Sequence, residues 1–207
     1  MYNFDMEQEA KKTEIKRESV YHENIKDNEY LPVFFDFVSA KKMFIPSHWH
    51  KHMEVLLVIN GKMEVNLDLE HFVLSKNDMI FIKSNSIHST KMIGNAEYVL
   101  LQIPESSFLG LNVDFSKYEL KSFFPDSTDF QIKEKLFAMK ECFLKKETGY
   151  NLEFLSLLYG FLHDLFCGYM ILKSSFTLLQ EEGKKQKENF YRITKIISYV
   201  EEKYKNQ

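Results

Sequence analysis

The chain has 207 residues, a length that suits one large domain or two small ones. Apolar residues make up 44% and charged residues 28%, with only 7 Gly and 4 Pro, which excludes a disordered or loop-rich chain. The net charge of −3 hides an uneven distribution, because residues 183–207 hold seven Lys/Arg and three Glu. That basic end indicates either a portion that faces nucleic acid or a solvated helix face.

Cysteine usage and hydropathy bear on the compartment. Cys142 and Cys167 lie among apolar residues, which predicts two buried free thiols and a cytoplasmic protein. The longest apolar stretch, Phe154–Leu172, has membrane-spanning length, but His163 and Asp164 lie in its middle, where ionisable groups are costly in lipid. We therefore interpret it as a buried helix and expect no membrane partner.

The first part of the chain predicts an arm followed by β-structure. Residues 1–28 are polar and charged, and we expect a mobile or loosely docked N-terminal arm. Residues 29–104 contain short runs rich in β-branched and aromatic residues, beginning with the strand candidate Pro32–Val38. Asn60-Gly61 is a strong hairpin signal between two such runs. About seven or eight short strands at regular spacing predict a sandwich or barrel.

After residue 104 the apolar pattern becomes helical, and we expect a helical dimerisation region over 105–173. One helix is predicted over 129–147, where Ile132, Leu136 and Met139 share a face. The next helix begins near Asn151, a residue suited to capping, and is apolar nearly all round. A helix of that kind packs on more than one side, so we assign a dimer contact to its leucines Leu155, Leu158 and Leu162.

The end of the chain predicts a linker and the start of a further domain. Residues 174–189 form a compositional break, which we interpret as a linker. Residues 190–207 carry an amphipathic stripe that includes Ile193, Ile197 and Val200. An amphipathic helix with nothing after it predicts a truncated domain, and we expect this chain alone to bind DNA weakly and without sequence preference.

Three histidines and a glutamate recur at every second position: His48, His50, His52 and Glu54. In a strand these side chains would face the same way. Imidazole and carboxylate groups suit Zn²⁺, Ni²⁺, Fe²⁺ or Mn²⁺, and His88 would supply a further ligand from a neighbouring strand. Two alternatives stay open: the same groups hold an organic effector, or they satisfy one another inside a barrel.

This spacing resembles the cupin superfamily. The first cupin motif, H-x-H, three residues, E, six residues, G, is matched by His48, His50, Glu54 and Gly61. The second motif keeps only its histidine, His88, because its Gly, Pro, Gly and Asn positions are occupied by other residues. The resemblance implies an α+β protein with a cupin-like β-barrel, a double-stranded β-helix or jelly roll. His52 has no place in the motif and is interpreted as a rim residue.

The run from "IPSHWHKHMEVLLVING" to "SIHS" resembles the sensor domain of AraC-type transcription regulators more narrowly, with Asn77-Asp78 at the second turn. The resemblance implies a non-enzymatic protein whose barrel binds a small effector, a sugar or another metabolite, through His48, His50, Glu54 and His88. It further implies a homodimer and DNA binding through a helix-turn-helix domain of which residues 190–207 are the start. The alternatives are a metal-dependent cupin enzyme, a dioxygenase or isomerase, and a protein–protein module that uses the helices.

Overall fold

The computed structural model describes residues 20–108, 117–127 and 130–173. The predicted linker 174–189, the predicted helix 190–207 and residues 1–19 of the predicted arm lie outside these ranges. The strands are β1 (Tyr21–His22), β2 (Phe34–Lys41), β3 (Phe44–Trp49), β4 (His52–Leu67), β5 (Glu70–Ser75), β6 (Met79–Ile82), β7 (His88–Pro104), β8 (Tyr118–Leu120), β9 (Phe123–Phe124) and β10 (Met170–Leu172). A 3₁₀ turn spans Glu105–Phe108, and the helices are α1 (Phe130–Lys145) and α2 (Tyr150–Tyr169).

Two long strands, β4 with 16 residues and β7 with 17, organise the sheet. The predicted hairpin at Asn60-Gly61 is wrong, because β4 continues through it and shifts register there against β7. Gly61 has φ +79°, and Gly94 in β7 has φ +76°. One residue at positive φ inside a ladder makes a bulge that bends a strand, whereas a hairpin reverses it. The reversal between β4 and β5 occurs instead at Asp68, which also has positive φ.

The bends fold the sheet into two layers. The first half of β4 and the second half of β7 lie with β2, β6 and β9, while their other halves lie with β1, β3 and β5. Among the described residues the hydrogen-bonded path runs from β1 to β9 with β2 and β5 as branches, and it does not close. The predicted barrel is therefore an open, folded sheet. The bent strands β4 and β7 belong to both layers, but the outermost strands of the two layers do not pair with each other, so the barrel does not close.

The space between the layers is filled by apolar side chains toward the bends. Val58 and Ile80 from one layer meet Met63, Leu74 and Met92 from the other in a single buried cluster. Because both layers contribute, this cluster holds them face to face. Three buried polar residues lie outside this apolar cluster: Glu54 near the start of β4, and His88 and Gln102 near the two ends of β7.

The outer face of the first layer is covered by the two helices. Val55, Leu57 and Leu101 of the sheet share a buried cluster with Leu136 of α1 and Phe161 of α2. This second cover explains why β4 is apolar at successive positions such as Leu56 and Leu57, as expected for a sheet covered on both faces.

The same packing corrects the predicted dimer helix. Leu158 and Leu162 of α2 are 1% and 8% exposed and belong to the cluster under the sheet, and Leu155 packs against it. Leu158 and Leu162 therefore hold α2 to its own chain and are not available to a second copy, and the half-buried Leu155 takes part in the same packing. The apolar surface of α2 that faces solvent includes Leu152 and Tyr159 instead.

Residues 105–173 are less helical than predicted. Strand β9 joins the main sheet by pairing with β6, and β10 pairs with β8. The apolar stretch ending at Leu172 leaves the helix at Tyr169, since Met170 is already extended. Asn151 is not the cap of α2, because Gly149 with φ 82° holds that position and no side chain caps it.

Of the two cysteines predicted to be buried, only one is. Cys142 is buried as predicted, but Cys167 is exposed, because it lies on the side of α2 away from the sheet, and neither forms a disulfide. No helix among the described residues is long and apolar enough to cross a membrane.

Candidate metal and ligand site

Four predicted residues come together where the strands of the two layers begin or end. His48 lies near the end of β3, His50 in the short connection before β4, Glu54 in β4 and His88 at the start of β7. His48 and His88 are directly opposed across the β3–β7 pair. All four are at most 3% exposed. Of the alternating positions predicted to share a face, His48, His50 and Glu54 converge here, although His50 itself lies between two strands.

Each histidine is oriented by a backbone carbonyl two residues away. The Nδ1 atom of His48 lies 2.9 Å from the Pro46 oxygen, and that of His88 lies 3.1 Å from the Ser86 oxygen. His50 Nδ1 lies 3.0 Å from the oxygen of His52. A carbonyl only accepts, so each Nδ1–H donates and each Nε2 of a neutral ring carries a lone pair. This is the arrangement by which proteins orient histidine ligands.

The three Nε2 sides converge. One ring nitrogen from each of His48, His50 and His88 lies within 4.8 Å of the other two. The Glu54 carboxylate places Oε2 at 3.0 Å from His50 Nε2 and Oε1 at 3.7 Å from His88 Nε2. Gln102 donates its side-chain N–H to Glu54 Oε2 at 2.8 Å and so fixes the carboxylate. The cluster is a compact set of nitrogen and oxygen donors.

Burial and mutual contact set the charges. Burial alone would raise the pKa of Glu54, but the imidazoles of His50 and His88 outweigh it and hold that pKa well below its usual value. Burial acts to lower the pKa of His88, yet the Glu54 carboxylate raises it overall. Burial, and then the neighbouring His88, lower the pKa of His48. Glu54 is therefore ionised and His48 neutral near pH 7.

The residues present fit a divalent metal ion. His88 Nε2 is buried and has no hydrogen-bond partner, although its ring lies within 5 Å of two other imidazoles. In the neutral ring this Nε2 is an acceptor, and a buried acceptor without a donor is costly, so a bound cation would satisfy it. Three imidazole nitrogens and a carboxylate are a donor set that suits Zn²⁺, Ni²⁺, Fe²⁺ or Mn²⁺.

A cavity of about 370 Å³ adjoins this cluster and reaches away from it along the interior. His48 and Glu54 form part of its wall, and Phe34, Ile45 and Leu100 supply apolar surface. Thr90, Tyr98 and Gln102 add hydroxyl and amide groups. Burial foremost, and then the charge of Glu54, raise the pKa of Tyr98, so its hydroxyl stays protonated and able to donate.

Residues 23–26 form another wall of the cavity, which the sequence did not predict. β1 pairs with β3 in parallel, opposing Tyr21 to His48, and the Tyr21 ring stacks on the His48 imidazole at 5.4 Å. The Glu23 backbone N–H donates to the Trp49 carbonyl at 3.0 Å, and Glu23 and Lys26 line the cavity. This part of the predicted arm is docked on the sheet, because its backbone pairs with β3.

Sequence reasoning therefore missed Glu23, Thr90, Tyr98 and Gln102. Tyr98 and Gln102 have the same parity along β7, which would have placed both on one face. No signal of that kind existed for Glu23, because a two-residue strand leaves no periodicity to read.

The other singled-out residues lie outside the cluster. His52 is half-buried, with Nε2 at 3.8 Å from an Asp27 oxygen. Trp49 packs against the His22 ring at 4.4 Å and does not line the cavity. His163 is exposed, and its Nδ1 lies 3.2 Å from an oxygen of the adjacent Asp164 at the surface of α2.

Comparison with known proteins supports the fold. Residues 38–104, about a third of the chain, match the family described as Cupin domain. That match confirms the cupin part of the sequence-based prediction, while the AraC-type identity stays a prediction. No curated protein matches the chain.

Three solved structures illustrate the similarity. A cupin superfamily protein from Desulfitobacterium hafniense is 15% identical, covering 36% of this chain and 69% of its own, with a TM-score of 0.34. A conserved protein of unknown function from Streptococcus pyogenes is 15% identical, covering 41% and 80%, with a TM-score of 0.35. A cupin-2 domain containing protein from Shewanella frigidimarina is 17% identical, covering 36% and 72%, with a TM-score of 0.33.

Proposed function

We propose that this chain binds a divalent metal ion and a small polar organic molecule in one pocket, as the ligand-sensing and dimerisation part of an AraC-type transcription regulator. The observation that carries the binding proposal is the convergence of three imidazole nitrogens within 4.8 Å, beside a cavity of about 370 Å³ that His48 and Glu54 line. The regulatory part rests on the sequence resemblance described above. A reducing cytoplasm suits its two unpaired thiols.

The metal would be held by His48, His50, Glu54 and His88. The carbonyls of Pro46, His52 and Ser86 keep the three Nε2 lone pairs directed inward. Bound there, the ion would offer a Lewis-acidic centre to an oxygen atom of the organic molecule. Gln102 keeps the Glu54 carboxylate in place and prevents it from turning away.

The organic molecule is small and carries oxygen groups. A volume of about 370 Å³ lies at the lower end of the range for small-molecule sites, roughly 300 to 1,000 Å³. The Tyr98 and Thr90 hydroxyls can donate to or accept from a hydroxyl or carboxylate, while Leu56 and Leu100 cover a carbon skeleton. A sugar or a similar polar metabolite meets these requirements.

Sensing requires that the ligand favours one conformation over another. Glu23, Asn24, Ile25 and Lys26 form one wall of the cavity, so a molecule inside it contacts the N-terminal segment directly. A ligand that contacts these residues changes the free energy of the docked segment relative to any undocked state. This is the coupling by which we propose that occupancy is transmitted.

Dimerisation would use the outward face of α2. Leu152 is 70% exposed and Tyr159 47%, and both lie on the side away from the sheet. Leu152→Asp should lower the dimer fraction in analytical ultracentrifugation and leave the free energy of unfolding of the monomer within about 0.5 kcal/mol of wild type. A dimer of unchanged strength would exclude this helix face as the contact.

Metal uptake and retained ligands test the binding proposal together. Protein purified without chelator should contain close to one divalent ion per chain by elemental analysis. Native mass spectrometry of the same sample should detect an organic molecule that is released on denaturation. Markedly sub-stoichiometric metal that does not rise on reconstitution with Zn²⁺, Ni²⁺, Fe²⁺ or Mn²⁺ would contradict the proposal.

A metal-dependent cupin enzyme, a dioxygenase or isomerase, is the second candidate. The observation that favours it is that His48 and Glu54 both border the cavity, so a molecule there could reach the metal side of the cluster. Incubation of the metal-loaded protein with the retained molecule separates the two candidates. A sensor returns the molecule unchanged after hours, whereas an enzyme converts many equivalents.

The regulatory proposal needs its own test. The chain can be fused to a DNA-binding domain that represses a reporter only as a dimer. A sensor and dimerisation domain should give repression that changes when the retained molecule is supplied to the cells. Repression that is absent with and without that molecule would contradict the regulatory role and leave metal and ligand binding untouched.

A further inference from the structure

The N-terminal segment, residues 20–28, brings a second carboxylate to the histidine cluster. Backbone pairing of β1 with β3 and the Glu23 N–H to Trp49 carbonyl hydrogen bond fix the position of Glu23. Its Oε2 lies 3.5 Å from His48 Nε2. That oxygen is buried and has no hydrogen-bond partner, although the side chain as a whole is 35% exposed.

The contact joins two hydrogen-bond acceptors. His48 Nδ1 lies 2.9 Å from the Pro46 carbonyl and must donate to it, so the Nε2 of the neutral ring carries a lone pair. The Glu23 carboxylate can only accept. Two acceptors at this distance repel each other unless a cation or a proton lies between them.

We propose that Glu23 is a metal ligand supplied from the N-terminal segment, in addition to His48, His50, Glu54 and His88. This inference rests on the metal binding proposed above and adds a residue outside the cupin motif. Glu54 stands beside His50 and His88, whereas Glu23 stands beside His48. The two carboxylates thus approach different histidines and do not compete for one place.

The distances between neighbouring donors suit one ion. Two ligand atoms that each lie about 2.1 Å from a metal are roughly 3.0 Å apart at a right angle and roughly 3.4 Å apart at a tetrahedral angle. The pairs His50–Glu54 and His48–Glu23 are 3.0 Å and 3.5 Å apart. The Glu23 oxygen therefore lies at the separation from His48 that two adjacent ligands have. It is not part of the group of three imidazole nitrogens within 4.8 Å of one another, so we expect its side chain to rotate toward the ion on binding.

Metal binding and docking of the segment are then linked. An ion held partly by Glu23 stabilises the docked segment, and a docked segment tightens the ion by the same factor. Lys26, an exposed residue of the segment and a site for trypsin, reports docking, because a protease must bind several residues before the cleaved bond, and these include Glu23, whose N–H is bonded to Trp49.

Glu23→Gln tests the proposal, since it keeps the size of the side chain and removes the charged oxygen. Mn²⁺ is the probe, with free Mn²⁺ counted by electron paramagnetic resonance and trypsin cleavage after Lys26 followed with and without the ion. Asp27→Asn is the matched control, a carboxylate on the same segment that faces His52. Glu23→Asp, which keeps a carboxylate, should fall between wild type and Glu23→Gln.

We expect Glu23→Gln to bind Mn²⁺ at least tenfold more weakly and to lose the protection that Mn²⁺ gives to Lys26. Asp27→Asn should keep both within about twofold. Equal affinity and equal protection in Glu23→Gln and wild type would overturn the role of Glu23 and indicate a proton shared with His48. A wild-type protein that takes up no Mn²⁺, Zn²⁺, Ni²⁺ or Fe²⁺ would instead refute the metal site itself, and the role of Glu23 with it.

Discussion

The interior between the two sheet layers has two unlike parts built on the same strands. Near the bends, β4 and β7 contribute Met63, Val65 and Met92 to an apolar cluster. Near the start of each strand, Glu54 and His88 are just as buried but are polar. Burying polar groups is costly unless partners satisfy them. The apolar part and the helix-covered outer face therefore carry stability, so that the polar part can be reserved for binding.

Substitutions at the glycines in the bends of β4 and β7 should have the largest effect on the apolar part that carries stability. A Cβ on Gly61 would lie 2.3 Å from the Asn95 carbonyl oxygen and 2.9 Å from the Ala96 Cα, whereas one on Gly94 would meet nothing within 4 Å. Both glycines have positive φ. Gly61→Ala should lose at least about 3 kcal/mol in chemical denaturation, and Gly94→Ala about 1–2 kcal/mol. Equal losses would mean that conformational strain, and not the close approach of β4 to β7, sets the cost.

Truncation under α2 should have the next largest effect. Leu158 is 1% exposed in the cluster between helix and sheet, while Leu152 on the same helix is 70% exposed. At concentrations where the chain is monomeric, Leu158→Ala should lower the free energy of unfolding by about 2–5 kcal/mol, and Leu152→Ala should change it by less than about 0.5 kcal/mol. The measurement is urea denaturation. A loss at Leu158 as small as that at Leu152 would show that the helix-covered face does not carry the stability of the fold.

Substitution in the polar part should affect binding more than folding. His48→Gln removes one ring nitrogen from the cluster, while His52→Gln changes a histidine two positions beyond His50 that faces Asp27. We expect His48→Gln to weaken Zn²⁺ at least about 100-fold by competition with a chelator, and His52→Gln to have little effect. Wild type at about 100 times its dissociation constant should gain about 2.7 kcal/mol of stability, a gain that His48→Gln loses. Equal Zn²⁺ affinity of the two variants would show that His48 is no more a metal ligand than His52.

Much of this architecture could be predicted from local patterns. The spacing of His48, His50 and Glu54 indicated the cupin region, and the recurrence of Ile132, Leu136 and Met139 indicated α1 and its buried face. These signals are repeats that secondary structure imposes on side-chain direction, so they survive in the sequence alone.

Other features depended on contacts distant in the chain. Asn60-Gly61 has the composition of a hairpin, yet the Asn95–Ala96 backbone across β7 makes it a bulge. The leucines of α2 were assigned to a second copy because nothing in an apolar stripe says which surface will cover it. Glu23 belongs to the site only through the pairing of β1 with β3. Long-range pairing of this kind leaves no local periodicity.

Anomalous diffraction from crystals grown with Zn²⁺, recorded above and below the zinc absorption edge, tests the central claim most directly. One peak should lie between the Nε2 atoms of His48, His50 and His88, at about 2.0–2.1 Å from each, with Glu54 beside it. A peak confined to surface residues such as His71 or His163, or none at the cluster, would contradict the account and leave the three imidazoles as a polar pocket for an organic ligand.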